Sequence, residues 1–329
     1  QQKTERRISA ALRLVFVAAL LLGQIALAFF LSTELRQRAA IIYTVLELAA
    51  FGYAVRIYNR TDGTSYKFGW IFLVLTVPVV GLILYFLWNG DRQQKRLDLK
   101  KLPMPEEPEA QQAAHRIQME KLRRKFPQWE RLSVYLSRQG YLLYGDTETT
   151  YLPTGEAFLQ DMLEKLEQAE HFIFLEFFII AQGQVWDRMT EIFRRKAAAG
   201  VEVKLIFDDF GSMMRLPAEQ IEALRVSGVE VQIFNPVHHY VNRLYFNYRD
   251  HRKIVCIDGS TAYTGGANVA DEYANLTVRF GYWKDCGIRL DGPGAWGLTR
   301  EFLHMWQRNG GQLMQERDYY RPHDHREAA

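Results

Sequence analysis

"HRKIVCIDGSTAYTGGAN", residues 251–268, sets a histidine two positions before a lysine, an aspartate five further on, and then Gly-Gly-x-Asn. In an extended chain, side chains at i and i+2 share a face, so His251 and Lys253 project together while Arg252 points away. An imidazole beside an ammonium packs poorly in a core, where the cation must be solvated or paired. It suits attack on a phosphodiester. The neutral ring supplies the nucleophile, and the ammonium offsets charge on the non-bridging oxygens. Asn268 adds an amide donor, and Gly265 and Gly266 let the backbone turn close enough to bring it in. An ordinary strand and turn would explain a lone His-x-Lys equally well; the whole spacing favours chemistry.

The flanking sequence reads as an α/β domain. "GEAFLQDMLEKLEQAEH" places Phe158, Met162 and Leu166 at four-residue steps, an amphipathic helix reaching His171. "FIFLEFFII" (172–180) comes next as a nearly continuous apolar strand. A helix around "VWDRMTEIFRRKAAAG", a strand "VEVKLIFDDF", a helix opened by Pro217 and closed by Gly228, and a strand "VEVQIFN" continue the series. "RKIVCID" and "CGIRLDG" add strands, and a last helix at 293–308 buries Trp296, Phe302 and Trp306. This alternation argues for a mixed, largely parallel β-sheet flanked by helices. Glu176 interrupts the first of these strands. A lone buried carboxylate is costly, and a functional placement near the strand's end is preferred to a local structural salt bridge.

Upstream, residues 14–31 and 68–88 carry no charge, and each is long enough to cross a hydrocarbon core of about 30 Å as a helix. Residues 39–55 carry Glu47 and form an ambiguous third span, giving two or three helices in an anchor over 1–90. Buried core helices are the less favoured alternative. The basic run Arg92, Lys95, Arg96, Lys100 and Lys101 places the downstream chain in the cytoplasm, although Lys3, Arg6, Arg7 and Arg13 make the N-terminal flank basic too. Residues 91–112 read as a linker, 113–318 as the globular part, and 319–329 as a polar tail.

The two cysteines, Cys256 and Cys286, read as small core residues in a reducing compartment, and no Cys/His spacing suggests zinc. No Walker-type loop or G-x-G-x-x-G is present, so neither a metal nor another cofactor is expected. A net charge of +3, without a basic stripe interleaved with aromatics at the motif, gives no support to nucleic acid as partner.

The H-x-K-x4-D signature with its later G-G-x-N resembles that of the phospholipase D superfamily. "HRKIVCIDGSTAYTGGANVADEY", "GYWKDCGIRLDGPG", "VEVKLIFDDFGS" and the apolar run 68–88 further resemble bacterial cardiolipin synthases. The resemblance implies a phospholipase D-like fold and a phosphatidyltransferase. That enzyme moves a phosphatidyl group between two phosphatidylglycerol molecules, through a phosphohistidine, to give cardiolipin and glycerol. It implies His251, Lys253 and Asp258 as the signature triad, with Asp258 holding the strand and turn. Asp285 is the candidate to fix the tautomer of His251, and Glu272 is the alternative. It implies phosphatidylglycerol and other membrane phospholipids as partners, and a multi-pass place in the bacterial inner membrane with a cytoplasmic catalytic domain.

The family carries two copies of the signature, and this sequence has one. His115, His171, His304, His323 and His325 stand in other contexts, and His238 and His239 lack the lysine and aspartate that should come after them. The expectation is therefore a fragment holding the anchor and first catalytic half. A second half on the same longer chain or another subunit would complete it. The alternatives are a homodimeric membrane-bound phosphodiesterase or nuclease of the superfamily, and an inactive half acting as an assembly partner.

Overall fold

The computed structural model describes residues 36–60, 63–88, 109–236, 249–312 and 319–320, with isolated positions between 18 and 29. The described chain falls into two units, one ending at Trp88 and the other beginning at Glu109.

In the first unit, helix α1 (Arg36–Tyr58) precedes α2 (Thr64–Thr76) and α3 (Pro78–Trp88). Ala50, Ile57, Val74 and Tyr85 form its small core, with Trp70 edge-on to Tyr85 at 5.6 Å. The apolar run 68–88, expected as one span, is split. Pro78 lacks a backbone N–H, and Val77 before it leaves helical geometry at φ −133°, ψ 70°. Residues 39–55 lie within the 23-residue α1. Among the described residues no helix is long and apolar enough to cross a membrane, and most of the 14–31 run lies outside them.

The second unit opens with α4 (Glu109–Lys125), a single 3-10 turn, and α5 (Glu130–Arg138). The helix therefore starts inside the stretch read as linker. Next come β1 (Glu148–Leu152), α6 (Gly155–Leu166), β2 (Phe172–Phe177), α7 (Gln184–Ala198), β3 (Glu202–Asp208) and the short α8 (Asp209–Ser212). After these come α9 (Ala218–Val226), β4 (Glu230–Phe234), β5 (Ile254–Ile257), β6 (Thr261–Gly265), β7 (Gly287–Asp291) and α10 (Gly294–Arg308). Thr154 caps α6 by accepting from Ala157 N, and Gly228 ends α9 at φ +91°.

The seven strands form one mixed sheet in the order β1-β7-β6-β5-β2-β3-β4. Only β2-β3 and β3-β4 pair in parallel; the other four pairings are antiparallel. "Largely parallel" is therefore corrected. Helices supply the crossovers among β2, β3 and β4, whereas β5-β6 is a hairpin, which cannot give parallel neighbours. The sequence reading also passed over β1 and β6.

Alternation along β2 sorts the core. Ile173, Leu175 and Phe177 pack with α6, α7 and α9 residues such as Phe158, Trp186 and Leu224. Phe172 and Phe174 pack on the other face with Trp296, Phe302 and Trp306 of α10. Tyr319 and Tyr320, grouped with the polar tail in the sequence, join this second layer: Tyr319 lies 5.5 Å from Phe172, and Tyr320 lies 5.2 Å from Trp296. Cys256 is buried, and its thiol is pushed up to about 12 by desolvation, whereas Cys286 is exposed rather than a core residue.

Candidate active site

The site forms where the chain enters β5, beside the C-terminal ends of β2 and β3. His251 and Lys253, just before the strand, share the parity of Val255 and Ile257, which pack in the α6–α9 layer. Lys253 Nζ lies 3.1 Å from His251 Nδ1 and donates to the His251 carbonyl at 2.6 Å. Phe178, just past β2, covers the pair, its ring 4.8 Å from the imidazole and 5.6 Å from the ammonium. Desolvation and then the Lys253 charge hold the imidazole below its ordinary pKa, with Asp250 opposing. Desolvation likewise lowers Lys253, against Asp250 and Asp285. The ring is thus kept neutral near pH 7, with its Nδ1 lone pair facing an ammonium.

Asp258 works at the other end of β5. Its carboxylate accepts from the backbone N–H of Glu170, His171 and Phe172, each at 2.8 Å, and its own φ is +52°. It fastens the β5-β6 turn to the start of β2. His171 therefore leads into a strand instead of ending a helix.

The Gly-Gly-x-Asn turn runs beside the extension of β2, where Ile180 and Val269 form a parallel bridge. Asn268 Oδ1 accepts from Ile179 N at 2.9 Å, and its amide nitrogen donates to Tyr273 Oη at 2.8 Å. These two bonds use the oxygen and one amide hydrogen of a buried side chain. A Cβ at Gly265 would sit 2.6 Å from the Cys286 carbonyl, and one at Gly266 would run into Asp285 Oδ1, so both glycines serve close approach.

Neither carboxylate expected to orient the imidazole bonds to it. Asp285 Oδ1 accepts from Cys286 N at 2.8 Å and reaches the pair only through the Lys253 charge. Glu272 is held by Arg215 at 2.6 Å and Arg279 at 3.1 Å. Among the described residues, the partner of His251 Nδ1 is Lys253.

Glu176 is corrected. It lies on the even face, away from His251, and Arg252 Nε approaches it to 2.6 Å. Arg252 also meets Asp250 at 3.3 Å and Glu301 of α10 at 3.0 Å. The contact with Glu176 is close but poorly aligned for hydrogen bonding, and the Asp250 carboxyl lies beside the same group and adds to its cost of ionisation. Desolvation therefore dominates and raises the Glu176 carboxyl well above the usual range. This is the local structural salt bridge, the less favoured reading of the sequence, and strand parity is the signal that separates it from the site.

Two contributors were missed. Phe178 read as one more strand residue. Asp208, at the end of β3, accepts from Arg249 Nη1 at 3.1 Å and from Asp250 N at 2.9 Å, fixing the segment just before His251. Its visible signal was a carboxylate pair, "DDF", closing an apolar strand. Of the other histidines, His115 lies in α4, where its Nδ1 accepts from Leu143 N, and His304 lies in α10. His238, His239, His323 and His325 fall outside the described residues. No cluster of three or more His, Cys, Asp or Glu suited to a metal occurs among the described residues.

A mixed-sheet domain with a paired His-x-Lys at a strand entrance and a glycine-rich asparagine turn beside it is phospholipase D-like in class. Residues 162–278 match the family described as "Cardiolipin synthase, PLD-like domain", and residues 48–89 match "Phospholipase_D-nuclease N-terminal". The chain thus carries a phospholipase D-like domain of the cardiolipin synthase family. An uncharacterized protein of Streptococcus mutans is 37% identical over 78% of this chain and 55% of its own length. Cardiolipin synthase 2 of Bacillus anthracis is 31% identical over 83% of this chain and 53% of its own. The chain spans about half the length of these relatives. Among solved structures, NucT from Helicobacter pylori overlays 50% of this chain and 98% of its own at a TM-score of 0.39 and 11% identity, too loose a match for any functional step.

Proposed function

We propose that this chain is the membrane-anchored first catalytic half of a phosphatidyltransferase that makes cardiolipin and glycerol from two molecules of phosphatidylglycerol. The observation that carries the reading is the Lys253 ammonium 3.1 Å from Nδ1 of a desolvated His251, in a domain of the cardiolipin synthase family.

An arriving phosphodiester offers the ammonium a stronger acceptor than the ring. Lys253 turns to a non-bridging oxygen, and the imidazole lone pair it had engaged attacks phosphorus. A P–N bond forms and the P–O bond to glycerol breaks. The glycerol oxygen takes a proton from a general acid contributed by a second catalytic half, on the same protein or another subunit. The second phosphatidylglycerol then gives its hydroxyl proton to that base. Its oxygen attacks phosphorus, the P–N bond breaks, and His251 is restored. Asn268 donates to the same phosphate, while Asp258 keeps β5 in register. Asp285 acts by holding charge opposite Lys253.

Multi-pass placement in the inner membrane, with this domain on the cytoplasmic side, is part of the proposal. It is supported by the uncharged runs at 14–31 and 68–88 and by the apolar side chains, such as Leu48, Phe51, Phe68 and Phe72, that α1 and α2 leave exposed.

The test places the chain in phosphatidylglycerol vesicles, alone and with a polypeptide bearing a second H-x-K-x4-D copy. Little or no cardiolipin from the chain alone and cardiolipin with free glycerol from the pair is the expected result. Labelled lipid phosphate trapped on His251 marks the first step. Cleavage of DNA without cardiolipin, full activity from a monomeric chain, or label on another residue overturns the reading.

A further inference from the structure

The segment from Asn275 to Trp283 is a loop closed at its neck. Asn275 Oδ1 accepts from Trp283 N at 2.7 Å, and its amide donates to Trp283 O at 3.0 Å and to Glu156 Oε1 at 2.7 Å. Asn275 holds φ +50°, a left-handed geometry that asparagine tolerates better than most residues. Above this neck the loop turns its apolar residues outward. Leu276 is 49% exposed, Val278 85%, Phe280 74% and Tyr282 68%. A scattered exposed leucine needs no explanation, but four large apolar side chains in seven residues form a patch.

The exposed charge on the loop is positive: Arg279 and Lys284 face solvent, whereas the flanking Glu272 is buried and Asp271 and Asp285 are half-buried. Arg279 lies over the Phe280 ring at 5.2 Å and shares the Glu272 carboxylate with Arg215, so two guanidiniums meet one carboxylate at the loop's base. Lys284 is exposed and donates to the Pro153 carbonyl. The other nearby acids hold the fold: Glu156 accepts from Asn275 with one oxygen, Asp271 from the backbone N–H groups of Gln184 and Val185 at the start of α7, and Asp285 from Cys286 N.

We propose that this loop docks on an anionic phospholipid surface. Its apolar tip enters the boundary between headgroups and acyl chains, and Arg279 and Lys284 stay at the level of the phosphates. An exposed apolar face beside exposed cations, with the neighbouring carboxylates buried or half-buried, is the chemistry such a surface recognises. The neck is tied to the candidate site: the Trp283 ring lies 4.9 Å from Tyr273, whose hydroxyl accepts from Asn268. Docking therefore presents the Gly-Gly-x-Asn turn to the bilayer. The inference goes beyond the transfer reaction and stands whether or not the site makes cardiolipin.

The test uses the full chain with a polarity-sensitive fluorophore at Val278→Cys, in a Cys286→Ser background, reconstituted in vesicles of phosphatidylcholine with or without phosphatidylglycerol. The readout is local, so other membrane-binding segments do not confound it. A blue shift with quenching by brominated lipid in the anionic vesicles, weakened by salt, is expected, and Arg279→Gln with Phe280→Ser should abolish it. Because Arg279 also shares the buried Glu272 with Arg215, Phe280→Ser alone, which leaves that ion pair intact, should weaken the shift by itself with urea unfolding little changed. A probe that stays aqueous in both vesicles, or is shielded equally in both, overturns the proposal. So does shielding in lipid-free detergent that rises with protein concentration, which would mean a second copy or another catalytic half covers the loop. Transfer assayed on monomeric short-chain phosphatidylglycerol, which needs no docking, reports the chemistry separately.

Discussion

Lys253 Nζ lies 3.1 Å from Nδ1 of His251, and among the described residues no carboxylate hydrogen-bonds to that ring. The protonation of His251 is therefore governed first by burial and then by a cation, with Asp250 opposing. Lys253→Ala should lower kcat by about 10²–10³, the cost of losing one preorganised donor to developing charge. Lys253→Arg should rescue poorly, because a planar fork replaces a compact charge. Single-turnover rates on phosphatidylglycerol measure both.

The pH dependence comes from the same pair. The folded imidazole pKa lies below the ordinary 6.5, so the neutral, nucleophilic form persists as pH falls below 6.5 and is lost only through the lower folded value. Removing Lys253 deletes one lowering cause, so the acidic limb of the residual rate should move to higher pH in Lys253→Ala. A limb that moves down, or stays in place, would place the controlling charge elsewhere.

Asp258 should matter for folding more than for chemistry. Asp258→Ala loses an acceptor for three backbone N–H groups and puts a β-carbon residue at φ +52° without asparagine-like tolerance. A loss of about 2–4 kcal/mol is expected in urea unfolding. Asp258→Asn, which keeps an acceptor oxygen and tolerates the left-handed backbone, should lose clearly less.

Arg252→Met should destabilise by about 2–3 kcal/mol, below the 3–5 kcal/mol for breaking a fully buried pair, because the arginine is 35% exposed and partly screened. Glu176 carries a raised folded pKa, so its folded state binds protons more readily and the variant should regain stability as pH falls through that value. Adding Glu176→Gln should remove that dependence. A pH series of thermal melts decides it.

The two glycines should differ. Gly265→Ala meets backbone at 2.6 and 2.7 Å, which cannot swing aside, and should cost about 1–3 kcal/mol. Gly266→Ala meets the Asp285 carboxylate, which can rotate. Its effect should appear as an altered pH profile through Lys253, with a smaller loss of stability.

The sequence by itself determined the alternation of helices and apolar strands, the pairing of His251 with Lys253, and the structural part of Asp258, because period-two side-chain geometry and residue chemistry act over a few positions. It also carried enough signal for the family. Tertiary structure decided what depends on neighbours far along the chain. Strand order made the sheet mixed, since β5 inserts beside β2 and antiparallel to it. The same register put Glu176 opposite Ile254 and on the even face that Arg252 shares, so a carboxylate that resembled a catalytic group became an ion-pair partner. The Arg215 and Arg279 contacts claimed Glu272, and Pro78 broke the uncharged run that composition alone had left continuous. Each outcome turned on which group arrived at hydrogen-bonding or ion-pair distance, and long-range pairing sets that distance where local pattern cannot.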